Sequence, residues 1–276
     1  MNRESLSRTV AANIVVAIVV AVFAFPVYWI VVTGFKPLDE IISYPPYLVP
    51  RSLTIENYFA LFEETDYLLW LKNSLIVATG NIVLSVLLST FAGYSLARFK
   101  VYQRKNIARA FIFSYMFPAM MLGLPYFVMY QRIGLINTNL GLILAHTSVT
   151  LPFTTWIMWQ FFQTVPIAWE ESAWVIGAPR YRSMLEVAVP AAMPGIVACA
   201  IFAFAISWND FTFAFVLITN PESQVLTTGI MQFIGTTQTL WSHLMVGATV
   251  LVVPPFLVVF FLNRYLMEGF SVSGLN

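Results

Sequence analysis

An all-α polytopic membrane protein, a bundle of six transmembrane helices, is the fold class this sequence predicts. Two kinds of observation predict it. The 276 residues are 59% hydrophobic and 10% charged, against about a quarter charged in an ordinary soluble domain, and the mean hydropathy is +0.78. Six stretches almost free of charge, 10–32, 73–96, 110–130, 140–162, 187–218 and 243–263, are long enough to cross a hydrocarbon core as helices. They fill the chain as a single domain, 1–276, and leave little sequence for a soluble one.

The first span follows Arg3 and Arg8. It is too long, and lacks the small-residue cleavage end, for a removed signal peptide, so it is expected to stay as a helix. The outer loop, 34–72, carries Asp39, Glu40, Glu56, Glu63, Glu64 and Asp66 against Lys36, Arg51 and Lys72. Its Pro37, Pro45, Pro46 and Pro50 favour an extended, partly rigid course. Within it, residues 55–65 have the spacing of a short amphipathic helix with Tyr58, Phe59 and Phe62 on one side.

The second connection is basic, with Arg98, Lys100, Arg104, Lys105 and Arg109; Arg180 and Arg182 lie in the fourth, and Arg264 follows the last span. Short loops rich in Lys and Arg stay cytoplasmic. That places both termini inside and the first loop outside. Pro26, Pro118, Pro125, Pro152, Pro254 and Pro255 fall within spans, where neighbouring helices or water must satisfy the freed carbonyls. They either kink helices for packing or face a ligand.

The hydrophilic connection between the fourth and fifth spans, 166–186, is the most informative segment. Pro166 suits a first helical turn, Glu170 and Glu171 stand near its positive end, and Gly177 is placed to close it in a left-handed conformation. Pro179 opens a second helical piece through Tyr181, Met184 and Leu185 toward Pro190. Trp169, Ala173 and Ile176 recur at helical spacing, and Ser172 and Ala173 allow close backbone approach. An apolar, small-residue knob on the cytoplasmic side fits a groove on another protein; an interfacial helix lying on lipid or on the chain's own loops is the alternative.

Chemistry-bearing motifs are scarce. No Gly-x-x-x-x-Gly-Lys phosphate loop occurs, so ATP must be handled elsewhere if it is used. His146 and His243 are isolated and read as packed or hydrogen-bonded residues, Cys199 has no nearby base in sequence, and no metal or catalytic set is expected. Net charge is +1, which gives no case for nucleic acid. Trp208-Asn209-Asp210 interrupts the apolar fifth span. Counted from Pro190 at about 1.5 Å per residue, Asp210 sits roughly 30 Å along that helix. An acid there must face water or a partner. These three either line the outer half of a solute path, where a tryptophan face and two acceptors suit a sugar, or act structurally, with Trp208 as interface anchor and Asp210 bonded to a neighbouring helix or a partner subunit.

Glu171-Ser172-Ala173, Gly177 and Pro190 to Pro194 resemble the EAA loop of permease subunits of bacterial ABC importers, whose pattern is Glu-Ala-Ala, three residues, Gly, then about a dozen residues to Pro-x-x-x-Pro. The likeness extends over nearly the whole chain and is similar to the carbohydrate branch that includes the second permease of the maltose transporter. Phe35-Lys36-Pro37, Tyr44-Pro45-Pro46, Asn57-Tyr58, Asn73-Ser74-Leu75, Tyr94-Ser95-Leu96-Ala97-Arg98, Gly134 to Thr138, Trp208-Asn209-Asp210 and the Gly269 to Gly274 tail carry it. Ser172 departs from the usual first alanine, and Ile176 stands where an aspartate commonly precedes the glycine.

The resemblance implies the six-helix type I importer fold in a bacterial inner membrane. It implies half of a translocation pore, with a second homologous permease, two ATP-binding subunits holding ATP and Mg, and a periplasmic or lipid-anchored solute-binding protein; the chain itself would hold no cofactor and catalyse nothing. Glu170, Glu171, Ser172, Ala173, Gly177 and Ala178 would couple to the ATPase, the acids pairing with its basic residues. The solute would be a sugar or related polyhydroxylated compound. Two other functions compete: an ion-coupled secondary carrier, weakened by spans almost free of charge and by the lack of a repeat between halves, and a membrane-embedded enzyme, for which no convergent catalytic groups are present.

Overall fold

The computed structural model describes residues 3–100, 102–235 and 239–273, with side chains between 12 and 261. The side chains of Arg3, Arg8 and Arg264, and Gly274 of the tail motif, lie outside the described residues. In chain order the helices are α1 (Arg3–Gly34), α2 (Leu38–Ile41), α3 (Glu56–Glu64), α4 (Tyr67–Arg98), α5 (Arg104–Tyr115), α6 (Ala119–Ile133), α7 (Asn139–Thr164), α8 (Ile167–Val175), α9 (Arg180–Ser183), α10 (Val189–Ala191), α11 (Met193–Asn209), α12 (Thr212–Leu217), α13 (Leu226–Ile230) and α14 (Trp241–Ser273). Extended pairing among the described residues is one isolated bridge, Ile234 with Thr239. Four helices are long and apolar enough to cross a membrane, and the crossings number six if each of two bent pairs is one span.

Both bent pairs depart from the expectation of continuous helices. The third span breaks between α5 and α6, which meet at 89°. Pro118, extended at φ −62° and ψ 120°, has no N–H to continue the ladder and its ring disfavours a helical Phe117. The fifth span bends by 75° between α10 and α11. Ala192 leaves helical geometry there, and Pro194 fits the first turn of the new helix. That helix ends at Asn209, so Asp210 opens α12 instead of lying deep along one continuous rod.

The chain forms two compact units, Met1–Leu68 with Gly229–Pro254, and Leu69–Thr228 with Pro255–Asn276. In the first, the 34–72 loop is a folded structure. Lys36 is buried, its Nζ donating to the Tyr47 carbonyl at 2.7 Å and lying 4.1 Å from the centre of the Trp29 ring. Glu40 accepts from the backbone N–H of Arg51 and of Ser52, each at 3.0 Å, and from the Ser52 hydroxyl. The Arg51 N–H leads these donors in holding its carboxyl below the usual carboxylate range, while burial pulls the Lys36 ammonium below the usual lysine range. Asn57 ties the loop back, donating to the carbonyls of Gly34 and Lys36. The 55–65 amphipathic segment is α3, with Tyr58 tilted against Phe35.

The second unit is built around α7, on which α5 and α11 pack, with α12 against α6. One apolar cluster joins Tyr130, Leu142, Phe213 and Leu217; another joins Tyr94, Met158, Phe162, Met184 and Cys199. α4 touches α7 backbone to backbone at Gly93, where a Cβ would come within 2.7 Å of the Trp159 nitrogen. With lipid offering no hydrophobic drive between helices, buried polar groups add specificity. Asn81 of α4 donates to the Ala203 carbonyl of α11 and accepts from Ser85 and from Thr147 of α7.

Candidate functional site

The connection between α7 and α11 forms a knob. α8 begins after Pro166, whose fixed φ suits a helix start, and ends in a Schellman motif: Gly177 N–H donates to the Trp174 carbonyl and Ala178 N–H to the Ala173 carbonyl, with Gly177 at φ 90°. Pro179 then starts α9. Trp174 holds the two helices together, its indole N–H donating to the buried Ser183 hydroxyl at 2.9 Å while the Arg180 guanidinium lies 4.9 Å from its ring. Past α9 the turn widens into π geometry over Met184–Ala188, ahead of Pro190, which cannot supply the next backbone donor. On the exposed side Arg182 pairs with Glu186 at 2.8 Å, which raises the Arg182 pKa.

The outward surface of the knob is apolar at its tip. Val175 and Ile176 are 87% and 86% exposed, with Trp169 and Tyr181 also exposed. Glu171, Ser172 and Gly177 share that exposure, and Ala173 and Ala178 are partly covered. The Ser172 hydroxyl is bonded inward to the Ala168 carbonyl, leaving its small size as the feature it presents.

Glu170 departs from the expected role as a contact for a partner's basic residues. Its side chain is fully buried. Neighbouring helical positions point about 100° apart, so when Glu171 faces outward Glu170 turns toward the membrane helices. There its Oε1 lies 2.5 Å from Arg98 Nε and its Oε2 accepts from the Tyr94 hydroxyl at 2.6 Å. Arg98 also donates Nη1 to the Phe162 carbonyl and Nη2 to the Val165 carbonyl, both at 2.9 Å. It thereby satisfies the open C-terminal end of α7 and the carboxylate of α8 together.

The elbow between α5 and α6 shapes a concave cavity of about 610 Å³, lined by Tyr115, Met116, Phe117, Asn209 and Asp210 among others. Of the three expected solute-path residues, Asn209 and Asp210 reach it, whereas Trp208 is buried with its ring stacked on Phe204. Asp210 is also structural. Its carboxylate caps α12, accepting from the N–H groups of Phe213 and Ala214 at 3.3 and 3.0 Å. Its Oδ2 lies 3.1 Å from His146 Nε2 but off the line of a regular hydrogen bond, while His146 Nδ1 bonds the Ser207 hydroxyl. The isolated-looking histidine therefore sits in a buried polar set that chain spacing of 61 and 64 residues concealed.

Two further motifs anchor the loop after α12. Asn137, left-handed at φ 60°, accepts from the N–H groups of Thr219 and Asn220 at 2.6 and 3.1 Å. Asn73, near the start of α4, donates to the carbonyls of Glu222 and Gln224, and the adjacent Ser74 hydroxyl accepts from Leu226 N–H. Among the described residues, no group of three or more His, Cys, Asp or Glu side chains is placed to hold a metal ion.

The model for the family described as "Binding-protein-dependent transport system inner membrane component" matches residues 85–271. The chain is 30% identical to the sulfoquinovosyl glycerol transport system permease protein SmoH of Agrobacterium fabrum, across 91% of this chain and 88% of that one. It is 27% identical to the inner membrane ABC transporter permease protein YcjP of Escherichia coli K12, across 100% and 99%. A chain from the crystal structure of a bacterial ABC transporter involved in import of the acidic polysaccharide alginate superposes with a TM-score of 0.82 at 16% identity, covering 96% of this chain and 98% of that one. The matched residues include the whole knob, the Tyr94–Arg98 motif and the Trp208–Asp210 break, and the chain belongs to the family of binding-protein-dependent transport system inner membrane components.

Proposed function

We propose that this chain is the non-catalytic permease subunit of an ATP-driven importer for a sugar or related polyhydroxylated solute, forming half of a pore with a second homologous permease. Both termini and the knob face the cytoplasm, where two ATP-binding subunits hold ATP and Mg, and a solute-binding protein docks on the outer side. The observation that carries this reading is the apolar tip of the knob: Val175 and Ile176 stand exposed at a Schellman turn, on a helix whose Glu170, Ser172 and Trp174 side chains are bonded within the chain. Such a tip, uncovered among the described residues, suits a cleft on a soluble protein. Glu171, Ser172, Ala173, Gly177 and Ala178 form its contact surface, and Glu170 supports it from within. The basic second and fourth connections support the orientation.

The solute class rests on what the relatives are named for, sulfoquinovosyl glycerol in one case and alginate in the other, and on the elbow cavity, where aromatic Tyr115 and Phe117 adjoin Asn209 and Asp210. Sugar C–H faces stack on aromatic rings while hydroxyls need acceptors. The test is co-purification of the chain with its neighbours and measurement of ATP hydrolysis stimulated by the solute-loaded binding protein. A Val175→Asp, Ile176→Asp chain should fail to retain the ATP-binding subunits; full retention with normal stimulation would sink the docking surface.

A further inference from the structure

The knob is joined to the membrane helices by more than its chain connection. Between α7 and α8 stand Val165 and Pro166, both extended, a hinge that by itself would let the knob swing. Arg98 bridges that hinge, bonded to Phe162 and Val165 on one side and to Glu170 on the other. Tyr94, one turn earlier on the same helix, takes the second carboxylate oxygen and packs its ring edge-on to Phe162 at 5.4 Å. A buried, fully bonded carboxylate held by an arginine and a phenol is a stiff element, because breaking any bond leaves a charge uncompensated in low dielectric.

The helix that carries both residues reaches the other end of the unit. α4 runs unbroken from Tyr67 to Arg98, so Asn73 and Arg98 lie about 38 Å apart along its axis at 1.5 Å per residue. At the Asn73 end its polar groups hold the backbone of the 222–226 loop: Asn73 donates to the Glu222 and Gln224 carbonyls at 2.9 Å each, and Ser74 accepts from Leu226 N–H at 2.8 Å. Asn139 at the start of α7 reinforces Asn73, its Nδ2 donating to Asn73 Oδ1 at 3.2 Å.

We infer that α4 is the rod linking the two faces of the permease, fastened to the coupling knob by Arg98, Tyr94 and Glu170 and to the 222–226 loop by Asn73 and Ser74. Resting on the importer reading above, this assigns those five side chains as positioning residues for coupling. Displacement of α8 by the ATP-binding subunits shifts the 222–226 loop on the binding-protein side. By reciprocity, binding protein seated there alters the posture of α8 and hence ATP hydrolysis.

The test uses the whole complex in nanodiscs, with binding protein and solute, and reads ATP hydrolysis with and without the loaded binding protein. Glu170→Gln and Asn73→Ala, at opposite ends, should each leave unstimulated hydrolysis within about twofold and lower stimulation about tenfold or more, roughly 1.4 kcal/mol of coupling at room temperature. Joined in series, the two changes should together be no worse than the more damaging single one. Tyr94→Phe, which keeps the ring and loses one hydrogen bond, should give a smaller loss and, with Asn73→Ala, decides the matter if Glu170→Gln fails to assemble. Full stimulation in the assembled variants, or losses that multiply in the double variant, would overturn the rod. A wild-type complex without stimulation would instead count against the importer reading itself.

Discussion

Arg98 Nε lies 2.5 Å from Glu170 Oε1, across the two-residue hinge that separates the long helix α7 from the knob. This contact divides the paired acids into different jobs. Glu171 is exposed beside Ser172 and Gly177 on the outward side of the knob, while Glu170 is buried and bonded to Arg98 and Tyr94.

Gly177 adopts φ 90°, which a side chain rarely tolerates. Gly177→Leu should destabilise the knob by about 1 kcal/mol and tilt its tip, so that transport falls much more than protein yield does. Transport at the wild-type rate in a well-assembled Gly177→Leu complex would show that the presentation of the tip is unimportant.

Asn209 and Asp210 should separate by phenotype. Asp210→Asn leaves one oxygen where two now accept the Phe213 and Ala214 N–H groups, so thermal stability of the complex should drop by the equivalent of about 1 kcal/mol. Asn209 lies on the cavity wall, with its amide donating within its own helix to the Ala205 carbonyl. Asn209→Ala should leave stability within about 0.5 kcal/mol and raise the apparent KM for the solute. Unchanged KM and rate in Asn209→Ala would take that residue out of the solute path.

The 34–72 loop should unfasten in acid. Glu40 has its folded pKa depressed by the Arg51 and Ser52 donors, so its contribution is fully present above the unfolded pKa, about 4.3, and is lost as pH falls through the lower folded value. Hydrogen exchange at the Arg51 and Ser52 amides should thus show protection that is level from neutrality to about pH 5 and declines below it. Glu40→Gln should show low protection at every pH; an acid-sensitive profile surviving in that variant would place the titrating group elsewhere.

Orientation is open to labelling. Single cysteines at Leu53 or Glu222, in a chain with Cys199 replaced, should react with an impermeant thiol reagent from outside, and ones at Gln103 or Tyr181 only after permeabilisation. All four positions are exposed, which makes accessibility a report on sidedness. Inverted labelling would reverse the topology drawn from the basic loops.

Fold class and the knob were legible in the sequence because they rest on local signals. Charge-free stretches mark membrane helices, Pro166 and Pro179 carry a fixed φ that suits a helix start, and Gly177 tolerates the positive φ of the turn. The elbows were less legible. Proline in a membrane helix either kinks or breaks it, and the outcome at Pro118 and before Pro194 depends on how α5 and α11 pack on α7. Least legible were contacts between distant residues. Arg98 with Glu170 and His146 with Asp210 join residues 72 and 64 positions apart, and Asn73 finds its carbonyls about 150 residues away. One local clue was present for Glu170: adjacent acids on a helix cannot both face the same groove.

Uptake by proteoliposomes containing the complete complex tests the central claim most directly. With solute-loaded binding protein outside, accumulation should require ATP and Mg on the opposite face and should persist when ionophores abolish proton and sodium gradients. Accumulation driven by an imposed ion gradient without ATP would contradict the account and restore the ion-coupled carrier.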